Sequence, residues 1–352
     1  MTIATTLRLS LYGAAISAIS TFGLMGCSNS STEPTPATDS AIATDKPAKS
    51  LAITQIVEHP SLDEIRRGIV EELADNGYVE EENLTINFQS AQGNLGTAGQ
   101  IAKQFAGDEP DAIVAISTPS AQSVVASTTN IPVVYTAISD PLAAKLIDEN
   151  NVPMQDNVTG LSSQLPIEPQ LDLIQQIAPD AKTIGYVYSP GEANSVSVLN
   201  QLKAAAPARG LEILDLTANR PTDVAMATRS LDGRADVIYT SLDNNVVSAF
   251  EAMANAANEL KIPVIASDEF SVRRGATAAL GVNDYDFGRV TGKMVYRVLN
   301  GEAINTIEPQ VMNDLTLYVS PKHAAAQGIN LPAEVIANAI NVDEKGSTET
   351  AN

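Results

Sequence analysis

From Leu51 onward, short apolar runs alternate with longer stretches in which apolar positions recur at helical spacing. LAITQIV leads to an amphipathic stretch at 61–76, LTINF to 95–105, AIVAIS to 119–127, and PVVYTAI closes the series. Ile- and Val-rich runs bounded by turn residues read as buried strands, and strands alternating with helices make βαβ units on a parallel sheet. The pattern then restarts with 168–177, TIGYVYS, 195–206, LEILDL, 222–231, DVIYTSL, 244–260 and PVIAS. Two doubly wound, Rossmann-like α/β lobes are therefore predicted. The halves share wording: PDAIVAIS leads to NIPVVYTAISD, and ADVIYTSLD to KIPVIASDE. Any α/β lobe reuses such strand entries, so the echo supports architecture more than ancestry. Next come ALGVNDYDFG, a helical pattern at 290–299 and an extended LTLYVS, which fit a chain recrossing between lobes through hinge segments. Lobe 1 is expected to hold 51–163 and about 284–310, and lobe 2 164–283 and about 311–341.

The first fifty residues follow another pattern. Arg8 is the only charge before an apolar and small-residue run that stops at Cys27, as in a signal peptide over 1–26. Leu24-Met25-Gly26-Cys27 resembles a bacterial lipobox, in which cleavage before the cysteine leaves an acylated amino terminus. Acyl chains supply roughly 0.8 kcal/mol per buried methylene, enough to anchor without a spanning helix. The alternative is an uncleaved membrane anchor, since the uncharged run approaches the roughly 20 residues a span needs. Residues 27–50, rich in Ser, Thr, Pro and Ala, read as a disordered tether, and 342–352 as a polar tail.

Composition narrows the chemistry. The 352-residue chain carries 42 acidic against 21 basic residues, a net charge of −21, which argues against a sequence-independent grip on nucleic acid or anionic lipid. With one cysteine and two histidines, disulfide frameworks, zinc fingers and iron–sulfur clusters fall away, and no metal or cofactor is expected. The glycine-rich segment 93–99 matches neither a dinucleotide fingerprint nor a phosphate loop, and no Gly-x-Ser-x-Gly elbow accompanies the histidines.

In open parallel sheets, ligands sit beyond the carboxyl ends of the strands. The strand exits here are polar: Glu58-His59-Pro60, Ser117-Thr118-Pro119 and Ser139-Asp140-Pro141 in lobe 1, and Ser189 with Glu192, Asn194 and Ser195, then Asp243-Asn244-Asn245, then Ser267-Asp268-Glu269 in lobe 2. Thr118-Pro119 and Asp140-Pro141 each place a capping residue before proline and predict helix starts. If the lobes face each other exit to exit, the cleft suits a small zwitterion. Ser117, Thr118 and the free amides of the next helix suit a carboxylate. Glu192, Asp243, Asp268 and Glu269 compete for an ammonium, with Asn194 and Asn244 as neutral partners. His59 either touches the ligand or caps the helix beginning near Ser61.

Together, QIVEHPSLDEIRRGI, AISTPSAQ, YTAISDPLAAKL, NVTGLSS, YSPGEANS, DNNVVSAFEAM and IPVIASDEFSVRRGATAALGVNDYDFGRVTGKM resemble the tryptophan- and tyrosine-uptake-like substrate-binding lipoproteins of ABC transporters, which have the type I periplasmic binding protein fold. The resemblance spans about 51–332. It implies a receptor without catalytic activity that closes on its solute and hands it to an ABC permease. It also implies pocket roles for Ser117-Thr118, Ser139-Asp140, Glu192 to Ser195 and Asp243-Asn244, and an aromatic amino acid as ligand. A sugar- or nucleoside-binding lipoprotein would share the fold but would want aromatic stacking faces, and the chain is 4% aromatic with no Trp. An extracytoplasmic sensor for a signalling kinase would look the same in sequence.

Overall fold

The computed structural model describes residues 46–344. The signal peptide, Cys27, all but the end of the tether, and the tail from 345 lie outside the described residues. No described helix is long and apolar enough to cross a membrane.

The first lobe runs β1 (Lys49–Gln55), α1 (Pro60–Asp75), β2 (Leu84–Ser90), α2 (Leu95–Asp108), β3 (Ala112–Ile116), α3 (Thr118–Val125), β4 (Val133–Ile138) and β5 (Val158–Ser162). The second continues with α4 (Ile167–Ile177), β6 (Thr183–Tyr188), α5 (Ala193–Ala205), β7 (Glu212–Thr217), α6 (Val224–Arg229), β8 (Val237–Tyr239), α7 (Asn244–Ser248), α8 (Phe250–Leu260), β9 (Val264–Ala266), α9 (Glu269–Arg273) and β10 (Ala278–Gly281). The chain then forms α10 (Asp284–Leu299) and β11 (Gln310–Val311), and ends with β12 (Thr316–Val319), α11 (Pro321–Ala326), α12 (Ala333–Ala337) and β13 (Ile340–Asn341). One sheet has the order β11-β5-β4-β3-β1-β2, the other β13-β12-β10-β9-β8-β6-β7. Pairing is parallel except between β10 and β12. The chain thus passes between sheets after β5, after β10 and after β11. β3 is buried along its whole length, as expected of a strand covered on both faces.

α10 packs on the first lobe. Phe287, Met294 and Val295 join Ile65, Ile69 and Leu73 of α1 in one core, and the Thr291 and Thr136 hydroxyls meet at 2.7 Å. Arg289 pairs with Glu72 at 2.7 Å along the seam.

Four local expectations change. The helix after β3 begins as predicted, but Ser117 rather than Thr118 holds the cap position, at φ 81°, and makes no side-chain capping bond. Asp140 accepts from the Ala143 amide at 2.8 Å, yet it opens a turn and not a helix, because Lys145 at φ 59° leaves the right-handed region. The predicted helix 244–260 breaks at Ala249, where Arg274 Nη1 takes the Val247 carbonyl at 2.7 Å. α10 starts six residues before Val290, because Asn283 caps it by accepting from the Asp286 amide at 3.0 Å.

Candidate functional site: the interlobe cleft

Between the sheets lies a cavity lined by both lobes and by the start of α10. Its walls are largely apolar, with Leu62, Ile65, Leu165, Val247, Val282 and Phe287 contributing. Set into them are His59, Ser61, Ser117 and Ser163 from the first lobe, Asn244 and Asp268 from the second, and Asp284 at the start of α10.

Buried polar atoms are normally hydrogen-bonded. Here His59 Nε2, Ser117 Oγ, Ser163 Oγ and Asp284 Oδ2 are buried with no partner among the described residues. His59 Nδ1 accepts from the Ser61 amide at 3.3 Å, so the neutral ring carries its proton on Nε2, a donor without an acceptor. Burial holds the His59 pKa below its ordinary value and keeps the ring neutral, with the Asp268 charge working against it. Ser117 adds a strained backbone, since a non-glycine residue at φ 81° is held there only by its surroundings.

The acidic end is built by two helix starts. Asp268 caps α9, accepting from the Ser271 amide at 2.8 Å and the Ser271 hydroxyl at 2.5 Å, and reaches across the cleft to the Ser61 hydroxyl at 3.2 Å. Asp284 is raised well above the usual carboxylate range, first by burial and then by the Asp268 charge. Two acids with one free oxygen in a desolvated pocket have the chemistry to hold a cation.

The remaining predicted residues sit elsewhere. Thr118 is buried in the first turn of α3. Ser139 and Asp140 line an adjoining recess with Gln164, Tyr239 and Ser241, and Asp140 Oδ2 bonds the Ser197 hydroxyl across the lobes. Glu192 accepts from the Asn244 amide at 3.1 Å and its Nδ2 at 2.6 Å, with Asn194 Nδ2 3.5 Å away, and faces an opening shared with Gly93 and Leu95. Burial, then the charge of Asp243, pushes its pKa up to about 7.

Asp243 does not reach the cavity. One oxygen accepts from the Ser189 amide at 2.7 Å and the Ser195 hydroxyl at 2.6 Å, the other from the Ser189 hydroxyl at 2.9 Å and the Val246 amide at 3.0 Å. Asp243 and Ser195 therefore hold α5, α7 and β6 together. Glu269 is paired with Arg273 Nε at 2.8 Å. Ser61, Ser163 and Asp284 were not among the predicted residues.

Two doubly wound lobes enclosing an apolar cavity with a few unpartnered polar atoms define a binding protein of the type I periplasmic class. The family described as ABC transporter substrate binding protein matches residues 50–343, and the chain belongs to it. It is 36% identical over 298 residues to a tyrosine-binding protein of Clostridioides difficile, covering 84% of this chain and 86% of that one. A Streptococcus pneumoniae ABC domain solved in complex with L-Trp is 31% identical with a TM-score of 0.79, over 83% of this chain and 98% of that one. The ligand-free, open structure of a Clostridium difficile substrate binding protein with adhesive properties is 38% identical, yet its TM-score is 0.64 over 84% of this chain and 99% of that one. The better fit goes to the less identical, ligand-bound relative, so the lobes here stand nearer its arrangement than the open one. The bonds Ser61–Asp268 and Asp140–Ser197 between the lobes agree.

Proposed function

We propose that the chain is the exported, lipid-anchored receptor of an ABC importer and that it encloses one aromatic α-amino acid between its lobes. The carrying observation is the set of unpartnered polar atoms in a largely apolar cavity: the donors His59 Nε2 and Ser117 Oγ, and, in the acidic pair Asp268 and Asp284, the free Asp284 Oδ2. An α-carboxylate takes the first pair, helped by the first-turn amides of α3, which the helix itself leaves unbonded. An α-ammonium takes the second. The side chain fills the space among Leu62, Ile65, Leu165 and Phe287.

The chain has no Trp, so tryptophan added as ligand is read without indole background, and its burial is expected to blue-shift its emission. Calorimetry with tyrosine and tryptophan should show saturable one-site binding, and small-angle scattering a contraction on saturation. No heat with tyrosine, tryptophan or phenylalanine, alongside saturable binding of a sugar or nucleoside, overturns the ligand class. Anchoring is tested separately: palmitate should label the wild-type chain in cells but not Cys27→Ala, and equal labelling of both defeats it.

A further inference from the structure

We propose that Ser163 reads the tip of the bound side chain and so selects tyrosine over phenylalanine. This rests on the reading of the cleft as an aromatic amino-acid site and adds to it the residue that decides among such ligands.

Ser163 follows β5 and is 2% exposed, and the fold makes no use of its hydroxyl. Its backbone is what fixes it: the Ser163 amide donates to the Ile138 carbonyl at 3.0 Å, and next to it the Ser162 hydroxyl and carbonyl bond Gln310 and Met312. The hydroxyl is thus held by its neighbours and left free at the cavity wall beside Ala137 and Leu165.

Sheet topology supplies the distance. Ser117 follows β3 and Ser163 follows β5, with β4 between them. Two strand spacings of about 4.8 Å separate the two exits by on the order of 10 Å. From bond lengths, an extended tyrosine measures about 8 Å from carboxylate to phenol oxygen, and a hydrogen bond of about 2.8 Å at each end lets it bridge that span obliquely. With its carboxylate at Ser117, the ligand's ring tip arrives at Ser163.

A serine hydroxyl both donates and accepts, and so does a phenol, so the two pair. Phenylalanine offers neither and leaves a buried hydroxyl unpaired, which a site built for a hydrogen bond penalises.

The test is calorimetry of tyrosine, tryptophan and phenylalanine on wild type, Ser163→Ala and Ser163→Thr, with thermal melts of each. Wild type should bind tyrosine about tenfold or more tighter than phenylalanine. Ser163→Ala should lower tyrosine affinity about tenfold and leave phenylalanine within about twofold, erasing the preference. Ser163→Thr keeps the hydroxyl and should keep the preference even if all affinities shift together. The proposal is overturned if Ser163→Ala weakens tyrosine and phenylalanine equally or changes neither, or if the threonine variant loses selectivity. Wild type that binds all three equally overturns Ser163 as selector but leaves the aromatic amino-acid reading standing. Wild type that binds none overturns both.

Discussion

Asp284→Asn is expected to cost on the order of 30-fold or more in affinity for tyrosine while leaving the ligand-free protein as stable as before, or more so. Removing one partner of a buried, hydrogen-bonded charge pair costs roughly 2–5 kcal/mol, much of it from the ion left uncompensated. Asp268 alone cannot replace it, because its oxygens already serve Ser61 and Ser271. Without ligand the sign reverses, since asparagine removes a buried carboxyl held beside another acid. Affinity and melting temperature should therefore move apart, which a merely structural residue would not produce. The pH dependence follows from the same shift. Burial and Asp268 raise the Asp284 pKa in the free protein, whereas an ammonium ligand favours its ionised form. Affinity should fall as pH drops through the raised free-state pKa, and calorimetry in buffers of different ionisation enthalpy should detect proton release that Asp284→Asn abolishes. Tyrosine binding within twofold of wild type in this variant would place the ammonium elsewhere.

The architecture was legible because a buried parallel sheet writes itself as apolar runs, and each lobe repeats them. His59, Ser117, Asn244 and Asp268 were legible for a related reason: each closely follows a strand, and strand exits converge on a cleft. Ser163 was hidden because β5, short and containing Thr, Gly and Ser, lacks the apolar density of its neighbours. Asp284 was hidden because α10 was expected to begin later, although Asn283 followed by acids at 284 and 286 carries the capping signal. Asp243 shows the opposite problem. A capping carboxylate and a ligand-binding one look identical in sequence, and only the fold brings Ser189 and Ser195, about fifty residues away, onto both its oxygens.

The same dependence of site on packing predicts the second large effect, at a residue that touches no ligand. α1 carries His59, Ser61 and Leu62 at its amino end, and α10 carries Asp284 and Phe287, so the crossing of these helices sets one wall of the cavity. They cross on glycine. A Cβ on Gly288 would collide with the Ile65 carbonyl oxygen and lie 2.9 Å from its carbon and 3.0 Å from Gly68 Cα, all of them backbone atoms that no rotamer change can move. Gly288→Ala must therefore push the helices apart. Overpacking of this kind costs roughly 1–3 kcal/mol and occasionally more, against a gain in helix propensity of at most about 1 kcal/mol. A net loss of about 1–2 kcal/mol, or a melting temperature lower by roughly 2–3 °C, is expected for a body of this size. Gly99→Ala in α2 is the control, because a Cβ there meets nothing within 4 Å and only the propensity gain remains. It should melt at or above wild type and bind tyrosine normally. Gly288→Ala should also weaken tyrosine binding at temperatures where it is fully folded, since Asp284 moves with its helix. A variant as stable and as tight as wild type would show that the crossing relaxes without reaching the site.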